Sequence, residues 1–495
     1  AGDAPVHTWA GLAAVVARRA GGLRTRLGVG PGDRVALFAA NWPGYLEALF
    51  AVWHAGAVVV PLSSRLHPRE AAELLAAAGA RACFATPDLA DGLASCAGDA
   101  VPVIVPGEAE DAALRAAAPI APAARDPGDD AWIFFTSGTT GRAKGARLTH
   151  GNLLAMTAAY FADVEPVSPR DAIIHVASLS HASGLFALPF VARGGPQVVP
   201  ESGGFDPGEL LALVARSERS TFFVPPTALR RLCRAPGLGE APVDRLGTVL
   251  VGAAPVRPDD LRAGVAALGP RLWNGYGQGE TPLTATAMSA PAIAAAIRSG
   301  DDERLGSVGV ARFATRVRVV GEDDRPLPDG EVGEVVVDGP TVMAGYLDLP
   351  DASREALRGG WLHTGDLGRF GPGGHLTLVD RARDVVISGG YNVYPREVED
   401  VLLAQPGVAD AAIVGVPDPE WGERVVGYVV AEPGGAIDPE ALDRRCLEAI
   451  ARHKRPREYV VVDELPRNPS GKVLKGALRE RYAATHGREA SDAPR

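Results

Sequence analysis

Lysine is nearly missing from this 495-residue chain: of fifty basic residues only four, Lys144, Lys454, Lys472 and Lys475, are lysine, and arginine supplies the rest. A compact, strongly hydrated ammonium does different work from a planar guanidinium, so each surviving lysine asks for a reason. Cysteine is also scarce. Cys83, Cys96, Cys233 and Cys446 lie far apart with no CxxC pair, which excludes a disulfide framework and a structural zinc site and suits a reducing cytoplasm. Excess positive charge is lacking, since the formal net charge is −10. A protein that grips nucleic acid or an anionic membrane surface spreads positive charge over a face, so neither partner is expected. No apolar run is long enough to span a bilayer. The most apolar early stretch, 48–62, is interrupted by His54, and the N-terminus lacks a basic-then-apolar leader, so neither integral membrane contact nor export is expected. The oligomeric state is not written in these residues.

What is present is a globular composition, 46% hydrophobic and 22% charged, enough for several cores and two or more domains. Helical periodicity over Trp9–Leu27, an apolar run at Arg34–Ala39, a helix over Pro43–His54 and a strand at Ala57–Val60 set a βαβ rhythm. It continues through a helix at Pro68–Ala78 and a strand at Arg81–Ala85, predicting a parallel α/β sheet covered on both faces. The Ala/Pro/Asp-rich stretch 120–130 reads as a loop. Short alternating strands at Arg316–Val320 and Gly333–Val337, with turn residues between, predict a β-rich subdomain. Beyond Arg383 the pattern changes to a small α+β domain. Its expected elements are a helix at Pro395–Leu403, strands at Ala411–Val416 and Val425–Ala431, a helix at Pro439–Ile450 and a last helix from Val473. The expected division is 1–382 and 383–495.

Chemistry concentrates first in Thr136-Ser137-Gly138-Thr139-Thr140-Gly141-Arg142-Ala143-Lys144-Gly145, which follows the strand-like run Trp132–Phe135. Glycines and hydroxyls around one lysine expose backbone N–H groups and O–H groups to phosphate oxygens, with Lys144 as counter-charge. The spacing is not that of a Walker A loop.

With its neighbours this segment resembles the phosphate loop of the adenylate-forming superfamily of acyl-CoA synthetases, peptide-synthetase adenylation domains and luciferase, and it is most like a free-standing acyl-CoA synthetase. Five further segments fall in the family's order. Gly252-Ala253-Ala254-Pro255 resembles the adenine-pocket segment, and Asn274-Gly275-Tyr276-Gly277-Gln278-Gly279-Glu280-Thr281 the Tyr-Gly-x-Thr-Glu motif. Trp361–Asp366 resembles the ribose-binding motif. Asp380–Asp384, running on to Ser388–Glu399, resembles the hinge and the start of a mobile C-terminal domain. Pro466–Lys472 resembles the loop of the catalytic lysine.

The resemblance implies ATP, Mg²⁺ and coenzyme A as ligands and a small carboxylic acid as substrate. It implies ATP contacts from the phosphate loop, from Gly252–Ala254, from Asn274–Gly277 and Thr281, and from Asp366 and Arg381. Glu280 is the implied Mg²⁺ carboxylate, a hard oxygen donor suited to a hard cation, and Tyr276 lies against the adenine or the acyl pocket. Asp366 can accept hydrogen bonds from ribose hydroxyls. Lys472 supplies positive charge where a carboxylate attacks the α-phosphorus, because both reactants are anions. Arg383 takes the hinge position, Gly389 and Gly390 line the pantetheine route, and His181 belongs to the floor of the acyl pocket. Taken alone, each has a blander reading as a solvated acid, a core tyrosine or a simple turn.

Gly279 departs from the motif, which has Thr or Ser there. One phosphate contact is missing, to be replaced by Gln278, Thr281 or water. The pocket-floor stretch Leu179–Leu185 holds no acid, which disfavours an α-amino acid because its buried ammonium would be unpaired. The candidate pocket segments Ser180–Gly184, Phe223–Thr227, Val251–Ala254 and Thr281–Thr286 are small or apolar, which points to an apolar aliphatic or aryl monocarboxylate. Left open are a carrier-protein thiol instead of coenzyme A as acceptor, a luciferase-like oxidation, and nucleotide binding without catalysis.

Overall fold

The structure, a computed structural model, describes residues 6–98, 101–136, 143–468 and 471–486. Its first sheet is built from β1 (Arg34–Ala39), β2 (Val58–Ser63), β3 (Ala80–Ala85), β4 (Val103–Ile104), β5 (Asp130–Thr136) and β6 (Lys144–Thr149), in the order β4-β3-β1-β2-β5-β6. β1 runs parallel to β2 and β3, β2 to β5 and β3 to β4, whereas β6 returns antiparallel to β5. Val35, Ala36, Leu37 and Phe38 are consecutive and all buried, as expected of a parallel strand covered on both faces. The sequence places these elements well. The helix expected from Pro43 starts at Tyr45, and the strand expected at Ala57–Val60 runs from Val58 to Ser63.

A second sheet comprises β7 (Asp171–Ile174), β8 (Gln197–Val198), β9 (Arg219–Val224), β10 (Leu246–Val251), β11 (Leu272–Gln278), β12 (Thr281–Met288) and β13 (Val310–Ala311), in the order β13-β12-β11-β10-β9-β7-β8. It is parallel from β8 to β11, and β12 and β13 add antiparallel strands at one side. In open parallel sheets, ligands bind beyond the carboxyl ends of the strands. Thr136 ends β5, Gly252 follows β10, and Asn274–Gly277 lie in the last part of β11. A β-rich sheet of β14 (Arg316–Val320), β15 (Gly333–Asp338), β16 (Leu362–Gly371) and β17 (His375–Arg381) follows in that order.

The last sheet has β18 (Val386–Ser388), β19 (Tyr391–Val393), β20 (Val408–Asp418), β21 (Gly422–Ala431) and β22 (Glu458–Val461), ordered β19-β18-β21-β20 with β22 beside β21. Side chains alternate across a strand, and here the alternation separates two cores. Ala411 and Ile413 pack with Val398 and Leu402 of the helix Pro395–Leu403 and with Leu442 and Cys446 of the helix Pro439–Ala449. Ala412 and Val414 pack with Leu478 of the helix Lys475–His486.

The chain forms two compact units. One takes the chain up to 318 together with 336–364 and 371–376; the other takes 319–335, 365–370 and the chain from 377 onward.

Candidate active site

In the first unit, β5 and β6 form a hairpin that pairs Thr136 with Lys144. The intervening Ser137, Gly138, Thr139, Thr140 and Gly141 lie outside the described residues. The two flanks converge on one carboxylate. The Thr136 hydroxyl donates to Glu280 Oε1 at 3.0 Å, and the Tyr346 hydroxyl donates to the same oxygen at 2.9 Å. Hydrogen bonds to a charged group are each worth about 1.5–3 kcal/mol, so two hydroxyls hold this buried carboxylate in one orientation. Lys144 Nζ stands 5.0 Å above the centre of the Tyr346 ring, within cation–π range. Tyr346 escaped the sequence reading. It sits in a Gly-Tyr turn 66 residues beyond Glu280, and no periodicity or spacing points to it.

Among the described residues no group of three or more His, Cys, Asp or Glu could hold a metal ion. A single oriented carboxylate nevertheless fits Mg²⁺ that arrives with phosphate, since this ion typically takes one or two carboxylates plus substrate phosphates.

Gly252 approaches the neighbouring strand closely: a Cβ there would stand 2.9 Å from the Gly275 carbonyl oxygen. Ala253 has φ +66°, a left-handed conformation uncommon for a residue with a side chain, and Ala254 continues the bend. Asn274 and Tyr276 are buried along β11, with Gly275 between them and Gly277 after Tyr276. Thr281 is fully buried, its hydroxyl 3.3 Å from that of Thr341. Gln278, one of the expected substitutes for the missing motif hydroxyl, donates from Nε2 to the Thr364 carbonyl at 2.9 Å.

At Gly279 a Cβ would lie 2.6 Å from the Phe134 ring and 2.7 Å from Thr136 Cγ2. This backbone closely approaches β5, so a threonine or serine would displace Phe134 or Thr136. Phe134 also meets the His181 ring edge-on, with centroids 5.5 Å apart at 89°. His181 Nδ1 lies 2.8 Å from Ser180 Oγ. Burial, reinforced by the positive charge of Arg65, pushes the His181 pKa down to about 4, so the imidazole is neutral at pH 7.

In the second unit, Arg381 Nε pairs with Asp366 Oδ1 at 2.9 Å, and Asp366 is buried. Asn468 and Lys472 exchange two hydrogen bonds. The Lys472 N–H donates to Asn468 Oδ1 at 2.8 Å, and the Asn468 N–H donates to the Lys472 carbonyl at 2.8 Å. Lys472 is exposed as a residue, yet its amine is held down at about 8. Desolvation is the first cause and the Arg381 charge the second; Asp366 acts in the opposite sense, followed by Arg383 and then Asp384. Thus Asp366, Arg381 and Lys472 share one electrostatic neighbourhood. The other two lysines of this unit are in ion pairs, Lys454 with Glu397 at 2.7 Å and Lys475 with Glu399 at 2.8 Å.

Arg383 lies in the short 3₁₀ turn Ala382–Asp384. Gly389 (φ +59°) and Gly390 (φ +81°) connect β18 and β19 as a two-residue hairpin turn with both central residues in the left-handed region, which glycine adopts freely. A Cβ at Gly389 would press to 2.8 Å from the Trp421 ring, whereas one at Gly390 would meet nothing within 4 Å.

The chain is similar to known proteins over almost its whole length. The AMP-binding enzyme family matches residues 3–347, and the AMP-binding enzyme C-terminal domain matches 397–472. Feruloyl-CoA synthase of an Amycolatopsis species is 40% identical over 477 residues, which cover 96% of this chain and 94% of that protein. Sulfoacetate–CoA ligase of Cupriavidus necator is 35% identical over 460 residues, 90% of this chain and 87% of that protein. Among solved structures, ATP-bound MatB from Rhodopseudomonas palustris is similar with a TM-score of 0.86 at 32% identity, covering 96% of this chain and 93% of that one. A family match across both parts of the chain, with relatives alike over almost its whole length, makes this protein a member of the AMP-binding, adenylate-forming enzyme family.

Proposed function

We propose that the protein is an acid–thiol ligase that converts a carboxylic acid, ATP and coenzyme A to acyl-CoA, AMP and pyrophosphate. In the first half-reaction a carboxylate oxygen attacks the α-phosphorus, the bond to the β-phosphate bridging oxygen breaks, and pyrophosphate leaves. In the second, the sulfur of coenzyme A attacks the acyl carbonyl, the thiol proton is lost, and AMP leaves. The observation that carries this reading is Lys472, an amine in the electrostatic company of Asp366 and Arg381. A point charge beside a ribose-binding pair is suited to the negative charge that gathers at the α-phosphate.

On this reading Asp366 and Arg381 hold the ribose, while Gly252, Ala253, Ala254, Asn274, Gly275, Tyr276 and Gly277 receive the adenine. Thr136 through Gly141, with Thr281, bind phosphate, and Lys144 grips the pyrophosphate end. Glu280 holds the Mg²⁺ that neutralises phosphate charge. Arg383 is the hinge between a body of residues 1–382 and a mobile domain of residues 383–495. Gly389 and Gly390 line the path of the pantetheine arm.

The neutral imidazole of His181 and the small or apolar pocket segments favour an uncharged acyl group. The likeness to a feruloyl-CoA synthase puts aryl acids such as ferulate at the head of the panel, with aliphatic monocarboxylates next. No helix among the described residues is long and apolar enough to cross a membrane, and a cytoplasmic location is proposed.

The test is pyrophosphate release across that panel of acids, with thioester product measured separately for coenzyme A and for a carrier-protein thiol. Lys472→Ala is expected to slow acyl-AMP formation by about 10²–10³-fold, yet largely spare thioester formation from supplied acyl-AMP. Equal loss in both steps would overturn the assignment of Lys472.

A further inference from the structure

Tyr346 meets both Glu280 and Lys144. Its hydroxyl donates to Glu280 Oε1 at 2.9 Å, and its ring lies 5.0 Å from Lys144 Nζ. The segment that carries it is tied down on every side. Ala344 N–H donates to the Arg147 carbonyl at 2.9 Å, Arg147 N–H to the Gly345 carbonyl at 2.9 Å, and Leu347 N–H to the Gly145 carbonyl at 2.8 Å. Residues 344–347 therefore run along β6 as an added strip. Met343 N–H donates to the backbone carbonyl of Glu280 itself at 2.9 Å, and Tyr346 N–H donates to Ser353 Oγ at 2.8 Å. Gly345 takes φ +133°, a conformation L side chains rarely adopt, and a Cβ there would stand 3.1 Å from Ser353 Oγ. A backbone fixed at so many points leaves the phenol little freedom.

We propose that Tyr346 is a positioning residue for MgATP, its hydroxyl aligning the Glu280 carboxylate and its ring seating the Lys144 ammonium. This rests on the reading that Glu280 faces the metal and Lys144 the phosphates. Opposite charges left side by side attract each other, and a Lys144–Glu280 pair would be spent before substrate arrived. The phenol satisfies the two separately, offering a donor to the anion and the negative face of its ring to the cation. Both charges are then held for the nucleotide. Thr136 shares the work at Glu280, because its hydroxyl bonds the same oxygen.

Two substitutions divide the roles. Tyr346→Phe keeps the ring and removes the hydroxyl; Tyr346→Leu removes both. Calorimetric titration of ATP into the full-length protein without acid substrate, once with Mg²⁺ and once with EDTA, reads binding apart from turnover, with Glu280→Gln and Lys144→Ala alongside. Tyr346→Phe should lose about ten-fold in affinity with Mg²⁺, the range of one hydrogen bond to a charged group, and keep wild-type affinity in EDTA. Tyr346→Leu should weaken ATP binding in both conditions, with Lys144→Ala matching its loss in EDTA. If Glu280→Gln abolishes the Mg²⁺ increment while Tyr346→Phe retains it in full, the positioning role is overturned and the reading of Glu280 stands. If Glu280→Gln itself keeps the increment, the reading of Glu280 fails and the inference with it. Unchanged thermal midpoints for Tyr346→Phe separate positioning from misfolding.

Discussion

A lysine amine held at about 8 is a different reagent from an ordinary surface lysine, whose pKa lies near 10.4. It carries its charge fully only below that value. If Lys472 must be protonated to stabilise the adenylation step, kcat/KM for ATP should be flat near neutrality and fall as pH rises through about 8, because this parameter reports the free enzyme. Arginine at the same position stays charged, so in the residual activity of Lys472→Arg the falling limb should be absent. A limb that persists in the variant would assign it to another group. Lys472 was found by its motif, and the low pKa was not, because that depends first on desolvation in the folded chain and then on the charge of Arg381, far back in the sequence.

At the scale of elements, the carboxylate of Asp380 at the end of β17 clamps the start of the last domain's first helix. It accepts from the Arg381 N–H at 2.7 Å and from the Arg396 N–H at 2.8 Å, the latter in the first turn of Pro395–Leu403. Asp380→Ala leaves the helix amide without its acceptor and should cost about 1–2 kcal/mol, seen as faster hydrogen exchange at Arg396. Burial raises the Asp380 pKa despite the Lys475 charge. A raised carboxyl pKa contributes stability below the unfolded value and loses it as pH rises through the folded one. Asp380→Asn, which keeps a carbonyl acceptor, should therefore be nearly neutral at pH 7 and lose to the parent in acid.

The helices Trp9–Leu27, Pro68–Ala78 and Pro395–Leu403 were legible to the residue, since amphipathic period and proline or capping residues mark both their ends. The antiparallel turn from β11 to β12 was not, because a Gly-Gln-Gly-Glu run advertises a loop and hides the close approach of Gly279 to Phe134. Sequence shows the missing hydroxyl. Only packing shows that β5 occupies its place. Phe134 and Tyr346 were missed for the same reason, an aromatic in a strand or turn being indistinguishable from core until its neighbours are known.

For the whole molecule, the proposed chemistry asks one chain to serve two half-reactions with a single set of residues. Arg383 is the proposed pivot, and Arg383→Pro fixes φ near −65° and removes a backbone N–H. The two half-reactions, assayed separately, should diverge by at least about ten-fold if the domain must turn between them; equal rates would dismiss the pivot. Scarcity of lysine also decides where this protein can be labelled. Amine-selective reagents act on the neutral amine, and two of the four lysines are in ion pairs, while Lys472 has the depressed pKa. Coupling to a surface or dye through lysine at mildly alkaline pH would therefore fall on the functional amine first, whereas the exposed thiol of Cys96 offers an attachment point away from it in the sequence.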